Sequence, residues 1–119
     1  MHGHKKMIIW GNIENIELIV FKDILDRIPK NYFNFRDQIE RATTSISANF
    51  IEGYYSGSIK EYIRFLGYSR RSLAELNNWS RQVYYKKFID KRSCEEFEDL
   101  AMRTIYLFNR LIQALKKKS

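Results

Sequence analysis

Phe35-Arg36-Asp37-Gln38-Ile39-Glu40-Arg41-Ala42-Thr43-Thr44-Ser45-Ile46-Ser47-Ala48-Asn49-Phe50-Ile51-Glu52-Gly53 is the stretch on which the fold turns. Phe35, Ile39, Ala42, Ile46, Asn49 and Gly53 recur at alternating steps of four and three. That spacing holds them on one side of a helix, in the narrow seam of a helical bundle. The stripe is small and partly polar. Ala42, Ser45 and Ala48 leave room for a neighbouring helix to come close. Asn49 stands where an apolar residue is expected, so if buried it needs a hydrogen-bond partner, and Ser69 or Ser72 of a following helix is the expected one. Arg36, Asp37, Glu40 and Arg41 face outward or sideways, where they can pair along the helix.

Outward from this stretch, three more helices are legible. Ser58-Ile59-Lys60-Glu61 is a capping box that starts a helix over 58–87. Ile59, Tyr62, Leu66, Ser69, Leu73, Leu76, Ser80 and Val83 carry its heptad stripe, and Phe65, Tyr68 and Trp79 widen it. A second capping box, Ser93-Cys94-Glu95-Glu96, starts a helix over 93–117 with a seam of Phe97, Ala101, Thr104, Phe108, Leu111 and Leu115. Its first turns are acidic and its end is Lys116 to Lys118, as the helix dipole prefers. Before the central stretch, a helix over 12–27, with Asn12 as N-cap, is stopped by Pro29. It shows two apolar seams, one through Ile13, Ile16, Val20 and Ile24, the other through Leu18, Phe21, Leu25 and Ile28. The central helix is expected over 35–55, capped by Asn34. Short loops between four amphipathic helices predict an all-α, antiparallel up-down four-helix bundle spanning 1–119 as one domain. Residues 1–9 are expected to form a flexible N-terminal tail, with Trp10 anchoring the chain against the bundle.

At 119 residues the chain is long enough for a core, and its 15% aromatic content argues against disorder. No apolar run is long enough for a membrane span or a signal peptide, so no membrane partner is expected. Cys94 is the sole cysteine, which fits a reducing cytoplasm. The charge is unevenly placed. Residues 1–58 hold seven Lys/Arg and seven Asp/Glu, whereas residues 59–119 hold fourteen and seven, so the net +7 lies in the second half. A basic half predicts an acidic partner, RNA or DNA.

The chemistry of a catalyst is missing. There is no Gly-rich phosphate loop, no paired-cysteine motif and no HExxH, and His2 and His4 lie together at the N-terminus with no third ligand nearby. No enzyme activity, cofactor or metal is expected. Cys94, near a helix start, is read as structural. Glu52 and Glu75 are read as partners for Arg41, Arg70 or a helix terminus rather than as catalytic carboxylates. What remains is a set of basic rows. Arg103, Arg110 and Lys117 are spaced by seven on the fourth helix. Lys60, Arg64 and Arg71 share one face of the third, and Arg70 and Arg81 another. Such rows can follow a phosphate backbone without reading bases. Asp99 lies one turn before Arg103 and can pair with it. The rival reading is a structural module that docks a protein through apolar surface.

Two blocks of the chain resemble a known family. Arg41-Ala42, Ser45-Ile46-Ser47-Ala48-Asn49 and Glu52-Gly53 look like the central motif of bacterial 23S rRNA intervening-sequence proteins, and Glu61 to Leu66 with Ser69 to Leu76 matches a second block. Ser47, Ile51 and Arg71 stand where the family usually has proline, alanine and glycine. The resemblance runs from about Trp10 to the C-terminus. It marks Arg41, Asn49, Glu52, Gly53, Ser72 and Glu75 as structural motif positions. It implies a four-helix bundle related to the accessory variability determinants of diversity-generating retroelements. That relation implies a homo-oligomer, a pentamer, with a basic surface for nucleic acid and a reverse transcriptase or other protein as further partner.

Overall fold

The computed structural model describes residues 3–119. Helices α1 (Ile8–Ile19), α2 (Phe33–Tyr54), α3 (Ile59–Tyr85) and α4 (Lys91–Lys118) make an antiparallel four-helix bundle, and no strand occurs among the described residues. The bundle is 45 Å long. α2 packs along α3, α3 along α4, and α1 closes the bundle against α4 and α2. No described helix is long and apolar enough to cross a membrane.

The central stripe is the interior. Ile39, Ala42, Ile46 and Gly53 are buried on α2. Leu66, Ser69, Leu73, Leu76, Ser80 and Val83 are buried on α3, and only Ile59 and Tyr62 at the head of that stripe stay partly exposed. Phe97, Ala101, Thr104 and Phe108 face them from α4. Ile112 takes the position expected for Leu111, because the seam drifts round the helix at 3.6 residues per turn. Phe50, missing from the expected α2 stripe, is fully buried and packs against Trp10, Tyr54, Tyr62 and Phe108.

Helix starts differ from expectation where a side chain had other work. Ser58 does cap α3, its Oγ accepting from the Glu61 N–H at 3.2 Å. At α4 the cap is Asp90, which accepts from Ser93 N–H at 2.8 Å, so Ser93 is the bonded residue and not the cap. Asn34 lies inside α2 and Asn12 inside α1. Asn12 instead donates to Thr104 Oγ1 of α4 at 3.2 Å. α1 begins at Ile8 and passes into a π-helical segment, Val20–Ile24, and a 3-10 turn, Leu25–Arg27. Its last carbonyls are bonded from α2: Arg36 Nη1 donates to the Leu25 carbonyl, which also accepts from the Ile28 N–H, and, at 2.8 Å, to the carbonyl of Ile28. Arg36 is therefore a strut between α1 and α2, not an outward-facing charge. α3 ends in a Schellman motif, with Phe88 N–H on the Val83 carbonyl and Lys87 N–H on that of Tyr84. Lys87 holds the left-handed conformation there, at φ 67°.

Residues 3–9 are not a free tail. Gly3–Lys6 forms a 3-10 turn, and His4 is buried with Nδ1 2.7 Å from Tyr55 Oη and its ring edge-on to Trp10. Three aromatic neighbours, Trp10, Tyr54 and Tyr55, reward that docking, which composition alone did not reveal. Met1 and His2 lie outside the described residues. Tyr54 and Tyr55 close this end of the bundle as packing residues.

Two glycines in helices should respond oppositely to alanine. A Cβ at Gly53 would meet Phe65 Cβ at 2.8 Å and the Tyr62 carbonyl oxygen at 3.2 Å, whereas one at Gly67 meets nothing within 4 Å. Removing a helical glycine gains about 1 kcal/mol, but overpacking costs about 1–3 kcal/mol. Gly67→Ala should therefore raise urea-unfolding stability by about 1 kcal/mol, and Gly53→Ala should lower it. Equal gains at both sites would show that α2 and α3 are not in backbone contact there.

Candidate nucleic-acid interface

Antiparallel packing sorts the charges of α3 and α4 by end. The start of α3 (59–71) lies beside the end of α4 (100–119), and together these segments hold nine Lys/Arg and one Glu. The remainder of the pair and its connection (72–99) hold five Lys/Arg and six Asp/Glu. The basic half of the sequence is thus a basic end of the bundle. Residues 100–119 contain five cations and no carboxylate.

The predicted cations are not equivalent. Lys60, Arg64, Arg70, Arg71, Arg103, Arg110 and Lys117 belong to the basic segments. Arg81 lies at the other end, ion-paired to Glu98 across the α3–α4 boundary. Arg103 pairs with Asp99 at 3.1 Å, as the one-turn spacing predicted. Arg64 pairs with Glu61 at 2.6 Å, also donates to Tyr68 Oη, and lies over the Phe65 ring at 4.7 Å. Arg70 reaches across to Asn109 Oδ1 at 2.6 Å, and so joins α3 to α4 without being neutralised. Arg71 lies 5.9 Å from the Tyr68 ring centre. Arg110 donates to Tyr106 Oη at 3.2 Å. Among the described residues no carboxylate is within 4.0 Å of the charged groups of Lys60, Arg70, Arg71, Arg110 or Lys117. These five are the charges open to phosphate. Sequence reasoning took the exposed Tyr68 as part of the apolar face of α3 and passed over Tyr106, which is 58% exposed. Their signal was an i, i+3 or i, i+4 spacing to arginine on the outer face.

Most of the motif residues make local contacts within the bundle. Asn49 is half-buried. Its Nδ2 donates to the Ser45 carbonyl at 2.8 Å and to Ser45 Oγ at 2.9 Å. Ser45 Oγ, accepting there, has its own proton free for Ser72 Oγ at 2.8 Å. Asn49 therefore reaches α3 through Ser45. Ser69 bonds the Ile46 carbonyl instead. Ala48 is exposed and plays no part in the contact. Arg41 pairs with Asp37 at 2.7 Å. Neither Glu52 nor Glu75 joins an ion pair among the described residues; Glu75 accepts from the Trp79 indole N–H at 3.4 Å. Ser47, where the family motif has proline, donates to Glu17 of α1 at 3.0 Å.

Burial pushes the Cys94 thiol up, which is the reverse of an activated thiolate. Burial, with the neighbouring Tyr54, pushes Tyr62 up to about 12. Among the described residues no group of three His, Cys, Asp or Glu side chains can hold a metal.

The carboxylates that move do so downward. The Arg64 hydrogen bond holds Glu61 low, the Ser93 N–H holds Asp90 low, and the Arg81 hydrogen bond holds Glu98 low. A lowered folded-state value stabilises above the unfolded value and is lost as pH falls through the folded one. Thermal melts should therefore be flat from pH 7 to about 4.5, the ordinary glutamate value, and drop below it. All three groups are exposed, so salt should flatten that drop. A midpoint that rises on acidification would contradict these pairings.

The chain matches the model of the family described as 23S rRNA-intervening sequence protein over residues 5–110. No curated protein and no solved structure matches it.

Proposed function

The chain belongs to the 23S rRNA-intervening sequence protein family, and from that premise we propose that it is a non-enzymatic, cytoplasmic RNA-binding protein that uses the basic end of α3 and α4. The observation that carries this reading is the one-ended segregation of charge: nine cations against one carboxylate in the segments 59–71 and 100–119. The helix dipole accounts for Lys116 to Lys118 at the end of α4, but not for Lys60, Arg70 and Arg71 of α3. A polyanion laid across this end meets Lys60, Arg70, Arg71, Arg110 and Lys117 without first breaking an ion pair. The family's name, which refers to 23S rRNA, favours RNA over DNA.

Phosphate contact makes affinity fall steeply with salt. Arg110→Glu with Lys117→Glu should weaken RNA binding at least about tenfold and reduce the log–log salt slope by about two. Lys86→Glu with Lys91→Glu, an equal charge change at the other end, should do far less. Equal losses from both pairs in a fluorescence-anisotropy titration would show only a net-charge effect and reject the site.

An apolar docking surface supports a second, compatible reading. On α1 the inner seam is buried, and Leu25 and Ile28 of the outer seam are buried too, but Leu18 and Phe21 are 51% and 39% exposed. They border a shallow depression with Gly11, Asn15 and Lys22. We propose that this face joins copies of the chain into a homo-oligomer; the resemblance implies five. Closure would set several basic ends around one axis and sum their fields. Light scattering after size exclusion should give a multiple of 14.4 kDa, and Leu18→Glu with Phe21→Glu should return the monomer. A monomeric wild type at low micromolar concentration across a range of salt would sink this reading.

A further inference from the structure

We propose that the RNA bound at the basic end is single-stranded, and that Tyr106 is the platform on which one of its bases stacks. This rests on the RNA-binding reading above and goes beyond it, because a row of cations alone accepts duplex and single strand alike.

Tyr106 projects from α4 in the middle of the carboxylate-free segment. Its hydroxyl accepts from Arg110 Nη1 at 3.2 Å while the guanidinium carbon stays 5.8 Å from the ring centre. A single guanidinium covers at most one face of the ring, and Tyr106 is 58% exposed. Tyr68 has two such neighbours, Arg64 and Arg71, 5.5 and 5.9 Å from its ring centre, and is 36% exposed.

A depression borders Tyr106 on each side. One is mostly apolar, formed with Ile8, Met102 and Leu107 and edged by Arg103. Ile8 and Met102 are 77% and 53% exposed, unusually open for large apolar groups. The other is polar, formed with Asn109, Arg110, Gln113 and Lys117. The first suits the flat face of a base. The second offers amides for a base edge or a 2′-hydroxyl, and cations for phosphate. Asn109 Oδ1 is engaged by Arg70, which leaves its amide N–H groups to donate outward. Arg103, Arg110 and Lys117 recur at intervals of about 10 Å at 1.5 Å per residue, so the strand can run along α4 with phosphates over this row. In a duplex the base faces are stacked away; only unpaired RNA presents them to an aromatic ring. A protein partner at the same patch would have to cover Arg110, which has no ion-pair partner among the described residues, whereas phosphate supplies the missing charge.

The experiment is fluorescence anisotropy with a labelled oligouridine and an RNA duplex of equal length, using wild type, Tyr106→Leu and Tyr106→Phe. Circular dichroism confirms that each is folded, as expected for an exposed site. Wild type should prefer the single strand. Tyr106→Leu should lose about tenfold in single-strand affinity with the salt slope unchanged, since no phosphate contact is removed. Tyr106→Phe, which keeps the ring but not the bond to Arg110, should bind nearly as wild type. If wild type binds RNA but Tyr106→Leu binds the single strand equally well, stacking is wrong and RNA binding stands. If Tyr106→Phe loses as much as Tyr106→Leu, the hydroxyl matters rather than the ring, and the inference fails. Disruption of self-association by Tyr106→Leu with RNA affinity intact would make the patch a protein contact and overturn it. Wild type that binds neither RNA overturns both readings.

Discussion

The contact between α2 and α3 sets everything else in place. Both helices present small residues to each other: Ala42, Ser45 and Gly53 from one, Ser69 and Ser72 from the other. The approach is close enough that the Ser69 hydroxyl bonds a main-chain carbonyl of the facing helix, that of Ile46. This fixes register more sharply than apolar packing does. Sliding α3 by one turn would set leucine against that carbonyl and leave a buried hydroxyl without a partner, at a cost of about 1–3 kcal/mol. The Ser45–Ser72 bond and the fit of Phe65 over Gly53 lie on the same register and would fail with it.

Register then propagates outward. α4 is aligned on α3 by Arg70–Asn109 near one end and Arg81–Glu98 near the other. α1 is aligned by Asn12–Thr104 on α4, Ser47–Glu17 on α2 and the Arg36 strut. These bonds are mostly partly exposed, so each adds little stability. Their effect is to hold the helices at one height, and that height brings the start of α3 level with the end of α4.

The bundle was legible because burial imposes a period. The Leu66–Val83 stripe and the second seam from Phe97 to Phe108 could only be read as helices facing a common interior. Boundaries were harder, because a cap is defined by one hydrogen bond and several residues nearby qualify. Ser93 reads as the cap, but the carboxylate of Asp90, three residues earlier, takes the Ser93 N–H. Asn12 and Asn34 have the right chemistry for caps, but the helices begin before them, at Ile8 and Phe33; at α1 the buried Ile9 lies upstream of Asn12. The docking of His4 and the bonding of Arg36 to α1 carbonyls are long-range or interhelical, and no local pattern announces such contacts.

The basic rows were legible as spacing but not as free charge. Helical periodicity places Arg103 and Arg110 on one face, yet only the pairing of Arg103 with Asp99 distinguishes them. The helix dipole separates the two helices in a similar way. Lys116, Lys117 and Lys118 sit at the negative end of α4, where cations stabilise the helix, so their presence needs no ligand. Lys60 sits in the first turn of α3, at the positive end, where a cation is unfavourable. Arg64 follows one turn later and is compensated by Glu61, but Arg70 and Arg71 have no such carboxylate among the described residues. Helix stability therefore accounts for the cations of α4's last turn and not for those of α3. The part of the basic end that folding does not explain is the part that most calls for an anionic partner.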